Sequence, residues 1–285
     1  MAKLLERWPD DSRVQTLAAR VLGLKLDPGF LTVIDPDWSV VSSLQKVTGL
    51  SAAGLLELLY QAGPHVSVPV VRLRQKLRVR PATSDVLVLV ETFDHHPEAT
   101  PEEVGEPRIV VDLGANIGAT LAKIAVASPS ARIVGVELDP ENASLARENT
   151  SAWADRVTVV EAAVAARPGA VRYKRQGLEP WTYAVGEEGE QETGAVTLDY
   201  LLAEYGLASV DFLNIDVEGA ERELLRAGGS WAGRTRCVSV EVHGDYRPAE
   251  AESDLRGLGF DVRLDHFNEL TLVGWRDSWR PSAVC

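Results

Sequence analysis

A short apolar run, a glycine turn and a longer apolar periodicity stand at the centre of the chain. Residues 109–111 are β-branched and too few for a helix, so they predict a buried strand. Gly114 and Gly118 bracket a tight turn, and the apolar spacing of residues 119–127 predicts a helix. A strand, a glycine turn and a helix begin a nucleotide-binding βαβ unit. In such a unit, glycines allow close backbone approach and the helix N-terminus offers free N–H groups.

The alternation of strands and helices continues to the end of the chain. Further strands are predicted at 132–137, 157–161, 210–216 and 236–243, and helices at 139–151, 198–205 (capped by Thr197) and 217–225. Residues 171–174 and 183–196 indicate a hairpin or a loop, and 260–266 and 270–275 form a final hairpin-like pair. The predicted fold class is α/β and Rossmann-like, with a mostly parallel seven-stranded sheet and a terminal antiparallel pair.

The N-terminal part has a different pattern, which predicts an N-terminal helical segment. Helices are expected over 11–22, from 36 to 47 and from Ser51 onward, followed by a β-hairpin or meander over 66–80. Residues 86–93 are either a helix capped by Ser84, which the pattern favours, or a strand. The expected division is 1–65 as a helical cap or dimerisation segment, 66–107 as a hairpin and lead-in, and 108–285 as the catalytic domain. A plain packing layer is the alternative for 1–65, and a homodimer is one expected assembly.

Composition narrows the classes of partner. The 285 residues carry a net charge of −13, which disfavours binding to nucleic acid, and the basic residues of the hairpin alternate with apolar ones. Cys237 and Cys285 lie too far apart in the chain to suggest a disulfide framework or a zinc cluster. No signal peptide and no membrane-spanning run is evident. We therefore expect a cytoplasmic protein with a small-molecule partner, without nucleic acid or membrane.

The turn itself suggests which cofactor to expect. Its Gly-x-Asn-x-Gly spacing departs from the dinucleotide fingerprint, which argues against a nicotinamide oxidoreductase. Asp112 precedes the turn, and Glu137 ends the next strand about 20 residues on, where a ribose diol would be bound. S-adenosylmethionine (SAM) fits, because it has a ribose, an adenine and a zwitterionic amino acid but no pyrophosphate. A structural turn without a ligand is the alternative.

Candidate catalytic residues follow two of the other strands. Asp216 and Glu218 end the fourth strand and His243 ends the fifth, so the fold should bring them to one rim. His243 is the expected general base because its unperturbed pKa is near neutrality, and Asp216 would orient it. The same trio could instead hold a divalent cation such as Mg²⁺, although no further metal ligand is identified. Structural roles are also open, with Glu218 as a helix cap and His243 as an ordinary strand-end histidine.

Nearby residues receive weaker interpretations. Glu221 and Glu223 are interpreted as helix-surface charges, and Trp181 and Tyr183 as either the lining of an acceptor pocket or ordinary aromatic side chains.

Four motifs in order resemble those of the FkbM family of SAM-dependent methyltransferases. They are Val-Asp-Leu-Gly-Ala-Asn-Ile-Gly (111–118), Val-Glu-Leu-Asp-Pro-Glu-Asn (136–142), Ile-Asp-Val-Glu-Gly-Ala-Glu (215–221) and Val-Glu-Val-His (240–243). The resemblance covers about residues 80–243. It implies a SAM-methyltransferase fold and methylation of a hydroxyl on a natural product or sugar-like scaffold. N-methylation, metal-assisted O-methylation and SAM binding without turnover remain alternatives.

The resemblance also implies roles for individual residues. It places Gly114, Ala115, Asn116 and Gly118 around the methionine part of SAM, Glu137 at the ribose, Leu138, Glu161 and Ala162 at the adenine, and Thr83 and Ser84 near the amino-acid end. Asp112 and Asp216 are also assigned to the cofactor site. Asn214 is a departure, since similar proteins often carry lysine at that position. A lysine base is therefore excluded there.

Overall fold

The protein is described here as a computed structural model. It describes residues 38–51, 54, 55, 58, 63–81, 83–96, 98–175, 183–185 and 191–277. The chain divides into two compact units, residues 1–97 with 177–181 and residues 98–176 with 182–285. None of the helices within the described ranges has the length and apolarity that crossing a membrane requires.

The first unit contains the predicted hairpin and two helices. Its elements are α1 (Trp38–Thr48), β1 (Val66–Val70), β2 (Gln75–Val79) and α2 (Asp85–Val90), with a π-helical turn at Glu91–His95. β1 and β2 pair antiparallel, which confirms the hairpin, and the helical interpretation of 86–93 is also confirmed. The Ser51 hydroxyl accepts a hydrogen bond from the Gly54 amide at 3.1 Å, as the predicted helix start requires. The helix predicted at 11–22 lies outside the described residues.

The second unit is built on a seven-stranded sheet. Its strands are β3 (Ile109–Leu113), β4 (Arg132–Glu137), β5 (Val157–Glu161), β10 (Val210–Ile215), β11 (Thr235–Glu241), β12 (Asp261–Leu264) and β13 (Thr271–Trp275). The helices are α3 (Ala119–Ala127), α4 (Pro140–Asn149), α5 (Leu198–Glu204), α6 (Glu221–Ala227), α7 (Ser230–Arg234) and α8 (Pro248–Gly257). The strand order is β12-β13-β11-β10-β3-β4-β5, and all strands run in the same direction except β13, which is antiparallel to both of its neighbours, β11 and β12. This confirms the predicted fold class.

Alternate residues of the central strands enter two separate cores. Val111, Val134, Leu213 and Val238 pack in the core on one face of the sheet, and Val110, Ile133, Phe212 and Cys237 in the core on the other. Both faces are buried, as expected for parallel strands covered by helices. The central strands are therefore mostly apolar along their length.

β5 has the predicted bounds, and a second sheet follows it where the sequence predicts a hairpin or a loop. This sheet consists of β6 (Ala163–Val164), β7 (Gly169–Arg175), β8 (Tyr183–Val185) and β9 (Gln191–Val196), in the order β6-β9-β7-β8. The helix predicted from Val217 begins only at Glu221. Glu218 and Gly219 have φ angles of +52° and +107°, which a right-handed helix cannot contain.

Candidate active site

The strand order reverses direction at β3, which places a crevice at its carboxyl end. From β3 the chain proceeds outward through β4 and β5 to one edge, and β10 and β11 lie on the other side. Ligands of open α/β sheets bind at such a switch point, outside the carboxyl ends of the strands. Two groups of residues meet there. The glycine turn comprises residues 112–118, and the acidic rim comprises Asp216, Glu218, Glu221, Glu241 and His243.

The two glycines of the glycine turn are required by the chain's own packing. A Cβ on Gly114 (φ +91°) would lie 1.7 Å from the carbonyl oxygen of Asp216, and one on Gly118 (φ +79°) would lie 2.9 Å from the Cα of Ala146. The Asp216 amide also donates to the Leu113 carbonyl at 2.9 Å. The sequence predicts that these glycines allow a ligand to approach the backbone. In the structure, the atoms nearest to an added Cβ are backbone atoms of Asp216, just after β10, and of Ala146 in α4.

Asp112 and Asn116 each keep one buried oxygen without a partner. Oδ1 of Asp112 accepts a hydrogen bond from Asn214 Nδ2 at 2.9 Å, whereas Oδ2 finds no donor among the residues that the structure describes. Burial raises the pKa of Asp112 to about 6, and the hydrogen bond from Asn214 opposes the rise. The Oδ1 of Asn116 is likewise buried and unpartnered within the described ranges. Two unsatisfied acceptors suit an ammonium donor, such as that of the SAM amino acid.

Glu137 connects the glycine turn to the start of α4. Its carboxylate accepts from the Asn116 amide at 2.8 Å and from the Asp139 amide at 2.9 Å. The side chain is buried, and burial raises its pKa to about 7 against these hydrogen bonds. The protein's own amides thus orient the carboxylate at the position where the sequence predicts ribose binding.

The remaining predicted cofactor residues of this unit surround the ends of β3, β4 and β5. Ala115 is buried and donates its amide to the Val136 carbonyl, and Leu138 is half-buried. Ala162 is buried beside Glu137, whose carbonyl it bonds at 3.0 Å. Glu161 is 41% exposed and lies 3.4 Å from Arg147. Their contacts with the adenine stay predictions.

Thr83 and Ser84 lie in the first unit. The Thr83 hydroxyl donates to the Arg80 carbonyl at 3.0 Å and accepts from the Asp85 amide at 3.2 Å. The Ser84 hydroxyl is buried, makes no capping bond and has no partner among the described residues, so the predicted Ser84 cap is wrong. A buried ion pair between Arg80 and Asp85, 2.8 Å apart, closes the segment instead. The role of Thr83 and Ser84 at the cofactor stays a prediction.

The acidic rim surrounds one imidazole with four carboxylates. Nδ1 of His243 lies 2.7 Å from Oε1 of Glu221, whereas Nε2 lies 3.6 Å from Asp216, 3.8 Å from Glu218 and 4.0 Å from Glu241. The structure therefore brings the three predicted catalytic residues together. Their candidate metal-ligating atoms all lie within 4.8 Å of one another, a spacing compatible with a cation.

The charges of the acidic rim change the expected protonation of His243. Burial acts to lower its pKa, but the hydrogen bond to Glu221 and the charges of Asp216 and Glu218 outweigh burial and raise it to about 9. The pKa of His243 therefore departs from the unperturbed value, near neutrality, on which its choice as the general base relied. Burial and the charge of Glu241 raise the pKa of Asp216, although water reaches its side chain, which is 40% exposed.

Glu221 and Glu241 are the two members of the acidic rim that the sequence argument missed. Glu221 was interpreted as a surface charge but is fully buried, and it, rather than Asp216, bonds Nδ1 of His243. Its position as the last residue of the 215–221 motif was the available signal. Glu241 precedes His243 by two residues and so shares its strand face, which period-two alternation alone could have indicated. The suggested pocket residues Trp181 and Tyr183 have side chains outside the described part.

Sequence comparisons identify relatives of the chain. Residues 112–262, just over half of it, match the Methyltransferase FkbM domain. The 2-O-methyltransferase NoeI of Sinorhizobium fredii (strain NBRC 101917 / NGR234) is 25% identical over 213 residues, which cover 66% of this chain and 84% of NoeI. The 31-O-demethyl-FK506 methyltransferase FkbM of Streptomyces tacrolimicus is 36% identical over 94 residues, 32% of this chain and 36% of that protein.

Solved structures with a similar fold include two at low identity. An O-methyltransferase family protein from Burkholderia thailandensis has a TM-score of 0.44 and 15% identity, with 69% of this chain and 59% of that one covered. Aeropyrum pernix fibrillarin in complex with natively bound S-adenosyl-L-methionine has a TM-score of 0.37 and 17% identity, with 61% of this chain and 67% of that one covered.

The strand order and the glycine turn define a Rossmann-like, SAM-dependent methyltransferase. Because the match spans more than half of its length, the chain belongs to the FkbM methyltransferase family. Membership of this family argues against the alternative that the protein is a nicotinamide oxidoreductase.

Proposed function

We propose that the protein methylates a hydroxyl group of a small natural product or sugar-like molecule. The observation that carries the proposal is the contact between the two halves of the site: the Asp216 carbonyl closes on Gly114, so the acidic rim lies directly beside the glycine turn. The names of the two relatives, both methyltransferases with a position marked O, support an oxygen acceptor.

The cofactor is proposed to lie against the glycine turn. Asp112 and Asn116 would hold its ammonium group with their unpartnered oxygens, and Glu137 would accept hydrogen bonds from its ribose. When bound, SAM supplies an electrophilic methyl group on a sulfonium. The protein contributes alignment of the acceptor and removal of its proton.

The acidic rim would perform the proton transfer. Nε2 of His243 faces Asp216 and Glu218, so a hydroxyl placed between them can be oriented by a carboxylate and give its proton to the imidazole. His243 has to be neutral to accept that proton, and its pKa is raised to about 9. We therefore expect kcat/KM to rise with pH toward about 9 and then level off.

The proposal is tested first by binding and then by turnover. The full chain is dialysed against a chelator and titrated calorimetrically with SAM and with S-adenosylhomocysteine, with and without magnesium. A panel of sugars and hydroxylated natural products is then screened for formation of S-adenosylhomocysteine. Micromolar binding and transfer to oxygen support the proposal. Transfer to nitrogen, or binding without any turnover, would contradict it.

A metal-assisted reaction is the second candidate. The atoms of Asp216, Glu218 and His243 lie close enough to share one cation, which would lower the pKa of an acceptor hydroxyl. Turnover that disappears after chelation and returns with magnesium would favour this candidate. Equal turnover in both samples would favour His243 acting as the base alone.

A further inference from the structure

The fully buried carboxylate of Glu221 needs an explanation. Its side chain is 0% exposed although it opens α6, a helix whose next residues reach the surface. A carboxylate removed from water loses much of its hydration free energy unless it gains strong partners. The partners of Glu221 therefore indicate what its burial accomplishes.

The described hydrogen bonds of the Glu221 side chain to other residues go to two places, His243 and the turn after β10. Oε1 lies 2.7 Å from Nδ1 of His243, at the end of β11. Oε1 and Oε2 also accept from the Gly219 amide, at 3.0 and 2.9 Å, in the turn after β10. One carboxylate thus joins the segment that carries His243 to the segment that carries Asp216 and Glu218.

The turn that Glu221 holds has a conformation that costs free energy. Glu218 has a φ of +52°, a left-handed geometry that is unfavourable for a residue with a side chain. The next residue, Gly219, has a φ of +107° and donates its amide to Glu221. The hydrogen bonds to Glu221 hold this turn, and the turn directs the Glu218 carboxylate toward Nε2 of His243.

Hydrogen bonding at one ring nitrogen also fixes the other. Oε1 of Glu221 lies 2.7 Å from Nδ1 of His243, and a carboxylate at that distance accepts the proton carried on Nδ1. Nε2 is then the nitrogen left to face Asp216 and Glu218. A histidine held in this way has both its ring orientation and its tautomer determined by the partner of Nδ1.

We propose that Glu221 is a positioning residue that holds Nδ1 of His243 and the Gly219 amide together, and thereby aims Nε2 at the acceptor. The role of Glu221 toward an acceptor rests on the proposed function, whereas its hydrogen bond to His243 does not. Glu221 does not touch the reacting atoms in this proposal. It acts through His243 and through the turn.

The first test observes the hydrogen bond by NMR in the full chain labelled with ¹⁵N-histidine. The protein has five histidines, and a His243→Asn variant assigns the ring signals of His243. We expect a strongly downfield Nδ1–H proton in the wild type that moves upfield or disappears in Glu221→Gln. Glu223→Gln is the matched control, because Glu223 lies on the same helix but is exposed. An unchanged signal in Glu221→Gln, or none in the wild type, would overturn the proposal.

The second test separates positioning from general stability. We expect Glu221→Gln to lower kcat at least tenfold, while the KM and the calorimetric Kd for SAM change less than threefold and Glu223→Gln matches the wild type. A folded Glu221→Gln variant with kcat within twofold of the wild type would overturn the positioning role. If Glu221→Gln does not fold by circular dichroism, Glu221→Asp replaces it, with the same losses expected because the shorter side chain cannot span both partners.

The failure of one proposal can be told from the failure of the other. If the wild type methylates no acceptor, the proposed function fails, while the Nδ1–H signal still decides whether Glu221 holds His243. If the wild type turns over but the signal is absent, the proposed function stands and the role of Glu221 falls.

Discussion

The glycine turn and the acidic rim both follow strands of one sheet, yet they satisfy their polar groups differently. In the glycine turn the hydrogen bonds come mainly from backbone amides, and two side-chain oxygens, on Asp112 and Asn116, have no described partner. In the acidic rim the contacts join ionisable side chains, and one imidazole lies among four carboxylates. The glycine turn therefore depends on the shape of its backbone, and the acidic rim depends on the balance of its charges.

This difference indicates how each region can be disrupted. The glycine turn should be sensitive to added volume and to the loss of an acceptor, with effects on folding and on cofactor affinity. The acidic rim should be sensitive to charge and to pH, with effects on turnover that leave cofactor affinity nearly unchanged. Variants in each region can test whether effects on cofactor affinity and effects on turnover are separate.

The largest expected effect comes from adding a methyl group to the glycine turn. In Gly114→Ala the new Cβ would overlap the Asp216 carbonyl, and the backbone would have to shift. We expect the free energy of unfolding to fall by about 4 kcal/mol. Gly206→Ala is the control, since Gly206 also has a positive φ, +62°, but an added Cβ would meet nothing within 4 Å; its cost should be about 1 kcal/mol. Equal losses in denaturant melts would show that the contact is unimportant.

Removing the imidazole should affect turnover but not cofactor binding. We expect His243→Ala to lower kcat by about 10²- to 10⁴-fold, the usual contribution of a positioned base. Because no atom of His243 belongs to the glycine turn, the calorimetric Kd for SAM should stay within threefold of the wild type. A large loss of SAM affinity in this variant would merge the two regions into one.

The charge of the acidic rim should make stability depend on pH. The pKa of His243 is raised from 6.5 to about 9 by Glu221, Asp216 and Glu218, against burial, so the folded state binds the proton more tightly. The resulting stabilisation is complete below pH 6.5 and is lost as the pH rises through 9, with a maximum of about 3 kcal/mol. The measurement is the unfolding free energy of the wild type minus that of His243→Gln from pH 6 to pH 9.5. A difference that does not vary with pH would contradict the charge balance.

The smallest expected effect concerns an acceptor in the glycine turn. Asp112→Asn replaces one carboxylate oxygen by an NH₂ group and removes the charge that would face an ammonium group. We expect the Kd for SAM to rise about tenfold, or about 1.4 kcal/mol, with kcat changed less than twofold at saturating SAM. Asp155→Asn, at an exposed position, should leave the Kd unchanged. Unaltered affinity in Asp112→Asn would remove the proposed ammonium site.

The glycine turn was predictable because its information is local. Strand, turn and helix follow one another within twenty residues, and the predicted bounds of β4 and α3 match the structure residue for residue. The strands were predictable for a similar reason, since burial on both faces requires unbroken apolar runs. The late start of α6 could not be predicted, because it depends on the left-handed backbone at Glu218.

The acidic rim was predictable only in part. The position of His243, Asp216 and Glu218 at one rim follows from parallel strands, whose carboxyl ends share an edge. The role of Glu221 did not follow, because it depends on the contact with His243, which lies 22 residues away in the sequence. The pKa of His243 could not be inferred either, since it depends on how many carboxylates surround the ring.

The carbonyl of Asp216 fills the space that any side chain at position 114 would need. As a result, the register of β3 against β10 also fixes the distance between the glycine turn and the acidic rim. A distance fixed by strand pairing is established when the sheet forms, before any ligand binds.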